Sequence, residues 1–228
     1  MNESILMVDD DLSLSPMTKE YLEAKRYCIT LVHSGEEGLN AFKASNFDLC
    51  ILDIQMPMKD GYLLAEDIRA IDPQMPIIFL TGLHNKKDRI KGLTLGADDY
   101  ITKPFSMEEL YLRINNILKR IGVQSIDERS QQVEIGLYTL DPESRVLTGP
   151  LGNRKLTAIE SQLLSMLYQR KHQVLSRDAA LVKIWGDDQH LHGRSLNVYI
   201  SKLRTFLKED EQIEILNVHG VGYKLVFK

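Results

Sequence analysis

Cysteine is scarce in this chain: Cys28 and Cys50 are the only two among 228 residues. Both sit in short apolar runs, where a buried reduced thiol is the plain reading, and two thiols leave no material for a disulfide scaffold. Long apolar runs are missing as well. No stretch approaches the roughly 20 apolar residues of a membrane span, and no basic-then-apolar leader opens the chain. A cytoplasmic protein with no membrane partner is therefore expected. Basic charge is not in excess either: the formal net charge is -4, with 14 Lys+Arg against 19 Asp+Glu in residues 1–120 and 14 against 13 in residues 121–228. So modest a division does not by itself indicate nucleic-acid binding. His33, His84, His172, His190 and His192 lack partners at zinc-ligand spacing, except that Asp187 and Asp188 lie close to the last two, and no zinc site is expected.

What is present centres on Asp48 to Gly61, DLCILDIQMPMKDG. Leu49, Cys50, Ile51 and Leu52 form an apolar run that ends on Asp53, the pattern of a strand buried on both faces of a parallel sheet. Ligands of such sheets bind outside the carboxyl ends of the strands. A lone acid there carries little weight, but Ile5 to Val8 is a second such run and ends on Asp9, Asp10 and Asp11. If the first and third strands are neighbours, two or three carboxylates converge on one pocket and repel unless a proton or cation lies between them. Hard oxygen donors with room for water suit Mg2+. Pro76 to Leu80 ends on Thr81, while Tyr100 and Ile101 lead into Thr102, Lys103 and Pro104. A hydroxyl and an ammonium aimed at the acids would bind the oxygens of a phosphoryl group on Asp53. Phosphoryl transfer is the chemistry that this set suits.

Apolar spacing alternates between strand and helix up to Arg120, which predicts a doubly wound α/β fold, a flavodoxin-like five-stranded parallel sheet, over residues 1–121. Its helices include one from about Lys87 to Leu95 and one from Ser106, where Glu109 three residues on predicts a capping box. Periodicity stops over residues 122–131, a polar stretch that reads as a linker. Residues 132–228 read as an α+β domain. Short strands at Val133 to Ile135, Leu137 to Leu140, Arg145 to Thr148 and Arg154 to Leu156 precede a helix capped by Thr157 and Glu160. A second helix covers Arg177 to Ile184, and a third about Arg194 to Lys208. The third turns Leu196, Tyr199, Ile200 and Leu203 to one side and Arg194, Asn197, Val198, Ser201, Lys202 and Thr205 to the other. An ordinary surface helix has the same composition. Two strands follow, Ile213 to Val218 and Val221 to Phe227, and helix, helix, hairpin is winged-helix order, with one helix offered to a major groove.

The motifs VDDD (Val8 to Asp11), LDIQMPMKDG (Leu52 to Gly61), FLTG (Phe79 to Gly82) and ITKPF (Ile101 to Phe105) resemble the receiver domain of two-component response regulators. LTAIESQLL (Leu156 to Leu164), VLSRDAAL (Val174 to Leu181), GRSLNVYISKLR (Gly193 to Arg204) and VHGVGYKL (Val218 to Leu225) are similar to the effector domain of OmpR/PhoB-type transcription factors, and among these resemble the RprY type. The resemblance implies a transcriptional regulator switched by phosphorylation. Asp53 would accept phosphoryl from a sensor histidine kinase, and Asp9, Asp10, Asp53 and the backbone carbonyl of Gln55 would hold Mg2+. Thr81 and Lys103 would contact the phosphoryl oxygens, and Tyr100 would be the aromatic switch. It also implies a homodimer through the fourth helix, fifth strand and fifth helix of the receiver, roughly Lys86 to Lys119. Lys87, Arg89, Lys91, Asp98, Asp99, Glu108 and Arg113 would pair across it, and Asn115 stands where a basic residue is usual.

On double-stranded promoter DNA the matched contact positions are Arg194, Ser195, Asn197, Val198, Ser201, Lys202, Arg204 and Thr205, with Arg194, Lys202 and Arg204 favoured for phosphate. The wing adds His219, Gly220 and Tyr223, and RNA polymerase is a further implied partner. Two positions depart from the family: Asn197 replaces a usual Asp, and His219 a usual Arg. Two other functions compete. A phosphohydrolase with an Asp nucleophile would need a second acid two residues on, where this chain has Gln55, so no enzyme beyond slow self-phosphorylation or dephosphorylation at Asp53 is expected. A constitutive dimer that binds DNA without phosphorylation is the alternative regulator.

Overall fold

The computed structural model describes residues 2–82, 95–122, 132–186 and 189–228, the side chains of residues 122 and 189–194 excepted. It contains two compact units, Met1–Gly122 and Val123–Lys228. In the first, strands β1 (Ser4–Val8), β2 (Cys28–Val32), β3 (Leu49–Asp53), β4 (Ile77–Thr81) and β5 (Asp99–Thr102) form one parallel sheet in the order β2-β1-β3-β4-β5. This is the doubly wound order that the apolar runs implied, and the adjacency of β1 and β3 follows from it.

The central strands lack the polar-apolar alternation of a half-exposed sheet because both faces are covered. Leu6, Val8, Cys50, Leu52, Ile77 and Phe79 point into one core. Ile5, Met7, Leu49, Ile51, Ile78 and Leu80 point into the other. Period two along each strand thus distributes one apolar run between two layers. Helices α1 (Leu14–Ala24), α2 (Gly35–Ala44), α3 (Gly61–Ile71) and α4 (Met107–Gly122) cover the faces. Ser34 and Asp60 cap α2 and α3 by accepting from the Glu37 and Leu63 N–H groups. At Ser106 the expected box is half formed: its Oγ accepts from Glu109 N at 3.0 Å, while the Glu109 carboxylate turns to Arg113 instead. Cys50 is buried as expected, but Cys28 is exposed, because β2 lies at the edge of the sheet. The helix expected from Lys87 falls outside the described residues up to position 94.

The second unit opens with an antiparallel sheet of β6 (Val133–Ile135), β7 (Tyr138–Asp141), β8 (Val146–Gly149) and β9 (Gly152–Lys155). Helices α5 (Ala158–Gln169), α6 (Arg177–Trp185) and α7 (Gln189–Phe206) follow, then the hairpin of β11 (Ile213–Val218) and β12 (Gly222–Phe227). Thr157 and Glu160 form the full capping box of α5. An unexpected strand, β10 (Val174–Ser176), adds to β12 and makes the wing sheet three-stranded. Three residues are too few to show a period, so this strand is legible only from its partner. The third helix begins at Gln189, earlier than the expected Arg194. Leu196, Tyr199, Ile200 and Leu203 are buried, as the period of α7 required. The whole is the winged-helix arrangement. Among the described residues no helix is long and apolar enough to cross a membrane.

Candidate functional site

Pairing of Val8 with Leu52 brings the ends of β1 and β3 together, and with them Asp9 and Asp53. Carboxylate oxygens of Asp9, Asp10 and Asp53 lie within 4.8 Å of one another. Asp9 and Asp53 are buried, whereas Asp10 is half-buried at the rim. Two charges about 5 Å apart repel by about 3 kcal/mol at an effective dielectric near 20, so the cluster stands only with compensation. Lys103 supplies part of it: its Nζ lies 2.9 Å from Asp9 Oδ2 and 2.6 Å from Asp53 Oδ2. Burial pushes the Asp9 carboxyl above the ordinary Asp value, against the pull of the Lys103 bond. For Lys103, burial acts downward, but the bonds to Asp53 and Asp9 together lift the ammonium above the usual Lys value. The Asp9 shift thus reflects chiefly its burial, and the Lys103 shift its two carboxylate partners.

Backbone groups reach the other carboxylate oxygen of Asp9 and of Asp53. Asp11 N–H donates to Asp9 Oδ1 at 3.0 Å and Gln55 N–H to Asp53 Oδ1 at 2.9 Å. Asp11 itself does not join the cluster. Its Oδ1 accepts from the Leu14 and Ser13 N–H groups at the start of α1, and these hold its carboxyl below the usual range. Gly61 is required where it stands, because a Cβ there would lie 2.2 Å from the carbonyl oxygen of Asp53. Thr81 ends β4, fully buried, in register with Thr102. The ring of Tyr100 points inward, its hydroxyl 2.9 Å from that of Tyr62, with Phe79 edge-on to both rings. Asp9, Asp10, Asp53, Thr81, Lys103 and the Gln55 backbone therefore meet at the same sheet edge.

The expected pairing charges are placed differently. Asp98 is buried and accepts from Ile77 N at 3.1 Å, and Asp99 pairs with the buried Arg113 at 2.9 Å. Glu108 accepts from Tyr21 at 2.6 Å. Asp98, Asp99 and Arg113 are thus buried with partners inside the chain, whereas Glu108 is exposed on the surface where pairing across a dimer is expected. The sequence shows that they are charged but not which way they face. Lys87, Arg89 and Lys91 lie outside the described residues.

In the second unit Asn197, Ser201, Arg204 and Thr205 are exposed on α7, Val198 is half-buried, and His219 and Gly220 are exposed at the wing tip. Gly220 has φ of 71°, a conformation that the turn demands and glycine tolerates. The side chain of Arg194 lies outside the described residues. Three expectations change. Ser195 is fully buried, one residue off the outward face. Lys202 is ion-paired with the buried Glu160 of α5 rather than turned outward as a phosphate contact. Tyr223 is buried, and its hydroxyl bonds to Arg177 and Asn197. Arg204 is held by Ile215 O at 2.9 and 2.6 Å and by Asn217 Oδ1 at 3.0 Å. Arg177 was not among the expected residues, although its place just after Ser176 at a helix start put it beside the wing. From the sequence, Glu160 is legible only as a cap.

The family profile described as response regulator receiver domain matches residues 5–115, and that described as transcriptional regulatory protein, C terminal, matches residues 152–225. The chain is 46% identical to the transcriptional regulatory protein RprY of Bacteroides fragilis over 97% of this chain and 94% of that protein. It is 35% identical to the response regulator MprA of Mycobacterium avium, over 97% of each. Among solved structures, the response regulator DrrB of Thermotoga maritima, an OmpR/PhoB homologue, matches 99% of this chain and 100% of its own at 26% identity with a TM-score of 0.53.

Proposed function

The chain belongs to the OmpR/PhoB family of response regulators, with a receiver domain and a DNA-binding transcription-regulator domain, and from that premise we propose that phosphorylation of Asp53 switches its binding to promoter DNA. The observation that carries the proposal is the convergence of Asp9, Asp10, Asp53 and Lys103 at one sheet edge. A carboxylate oxygen of Asp53 attacks the phosphorus of a phosphohistidine on the kinase. The new O–P bond forms as the N–P bond breaks, and the imidazole leaves with the electron pair and takes up a proton. The product is an acyl phosphate.

Charge decides what this step needs. Adding phosphoryl oxygens beside Asp9 and Asp10 is tolerable only with cations in place. The donor set is all hard oxygen and half-open at Asp10, which fits Mg2+ held by Asp9, Asp10, Asp53 and the Gln55 carbonyl. The bound ion would neutralise charge on the transferring group. Lys103 supplies the second cation from within the chain, able to exchange a carboxylate for a phosphoryl oxygen. Thr81, at the end of the strand next to β3, is the hydroxyl that follows the new oxygens, and Tyr100, on β5 beside it, moves with it.

Downstream, the receiver dimerises through the surface of residues 86–119, and paired effector domains engage promoter DNA and RNA polymerase. The test is DNA binding with and without acetyl phosphate and Mg2+, for wild type and Asp53→Ala. Phosphodonor-dependent tightening that Asp53→Ala abolishes is the expected result. Equal binding in every condition would sink the switch and favour a constitutive dimer.

A further inference from the structure

Three elements of the second unit meet at one side chain. Arg177 is the first residue of α6, and its Nη1 donates to Asn197 Oδ1 on α7 at 3.0 Å and to the Tyr223 hydroxyl on β12 at 2.7 Å. That hydroxyl donates in turn to the same Asn197 oxygen. The Arg177 guanidinium lies 5.7 Å from the Tyr223 ring centroid, and the Arg177 backbone N–H donates to Val221 O at the wing tip at 3.0 Å. The base of the wing is pressed in beside it: a Cβ on Gly222 would lie 2.0 Å from Leu175 O. The three side chains line an open groove of about 390 Å³ together with Arg204, Asn217 and His219.

The wing is tied to α7 both by Arg204, which donates to Ile215 O and Asn217 Oδ1 on β11, and by the Arg177, Asn197 and Tyr223 group, which reaches β12. Hydrogen bonds from a charged donor supply direction as well as attraction. Asn197 is suited to the centre of the group, since one amide oxygen receives both donors. A carboxylate there would accept as well, but it would put a negative charge on the face that approaches phosphates.

We propose that Arg177, Asn197 and Tyr223 form a clamp that fixes the wing relative to α7, so that helix and wing reach adjacent grooves of one DNA duplex together. They are positioning residues for DNA docking. Asn197 and Tyr223 act through each other and Arg177 rather than as separate contacts to bases or phosphates. The proposal rests on this domain's binding DNA with α7 in the major groove and the wing in the minor groove.

Coupling separates a clamp from independent contacts, whose losses multiply, whereas members of one network share a single loss. Full-length wild type, Asn197→Ala, Tyr223→Phe and the double variant are compared on a duplex selected from a random pool. Affinity is read together with dimethyl sulfate protection of guanine N7 in the major groove and adenine N3 in the minor groove. Each single change weakens binding by about 2- to 10-fold, the scale of one net hydrogen bond. The double variant is no weaker than the worse single. Minor-groove protection fades in the variants while major-groove protection stays. Losses that multiply, affinities unchanged from wild type, or protection that fades equally in both grooves would overturn the clamp. If Asn197→Ala fails to fold, Asn197→Asp keeps the acceptor and must retain protection in both grooves, and its loss in the minor groove counts against the clamp. A wild type that protects neither groove removes the DNA-docking reading itself, an outcome visible before any variant is compared.

Discussion

At Asp9 burial works against charge. Its carboxylate is buried beside Asp53, and burial raises its pKa. A carboxylic acid with a raised folded pKa contributes most stability below its unfolded value and loses it as pH rises through the folded one. At neutral pH, then, Asp9 costs the receiver stability. Asp9→Asn should stabilise the Mg2+-free protein by about 1–3 kcal/mol in urea unfolding while removing most of the Mg2+-induced gain. An unchanged Mg2+ response would show that Asp9 is not part of the cation site. Asp141 has the opposite sign. Its Oδ1 accepts from the Ser144 and Glu143 N–H groups in the turn after β7, and Ser144 chiefly holds its pKa down. Its contribution is present above the unfolded Asp value near about 3.9 and is lost as pH falls through the folded one. Asp141→Asn should flatten the acid limb of the second unit's stability below about pH 4 and leave neutral behaviour nearly unchanged. Thermal unfolding across pH reads it.

Between elements, the pair of Lys202 on α7 and Glu160 at the start of α5 does what neither sequence signal announced. Glu160 is nearly fully buried and accepts from Thr157 N at 3.0 Å as well as pairing with Lys202. Removing one partner of a buried pair leaves the other charge uncompensated. Glu160→Ala should therefore destabilise the second unit by about 3–5 kcal/mol, capping included, and Glu160→Gln by less, since it keeps an acceptor for the cap. Lys202→Ala should lower stability with little change in the salt dependence of DNA binding. A salt slope that drops by about 1 would instead make Lys202 a phosphate contact. Helix periodicity could place Lys202 on the polar side of α7, but the carboxylate that receives it lies 42 positions away in sequence.

Across the whole molecule, each unit has its own core, and a core deletion should report on the unit that holds it. Leu164, fully buried in α5, becomes a cavity in Leu164→Ala, which should cost the second unit about 2–5 kcal/mol. Mg2+ binding at the acidic cluster of the first unit, read by titration, should be unchanged. A lost Mg2+ response in this variant would mean that the cluster depends on the second core.

What the residues determined alone is considerable, because it rests on local regularities. Apolar runs ending on Asp9 and Asp53 specified buried parallel strands with acids at their carboxyl ends, and the period of α7 specified which of its residues are buried. Thr157 and Glu160 announced their own capping box within three residues. Tertiary structure decided what depends on distant partners. Strand order brought Lys103 to Asp9 and Asp53 across 94 and 50 positions. Packing turned Asp99 and Arg113 toward each other rather than outward, buried Ser195, and exposed Cys28 on an edge strand. The same distinction explains Arg177: a helix start is legible from Ser176, but the partners of its guanidinium, Asn197 and Tyr223, are 20 and 46 positions away. Residue type and spacing carry a side chain's chemistry and its face, whereas burial and pairing are set by whatever the fold places opposite it.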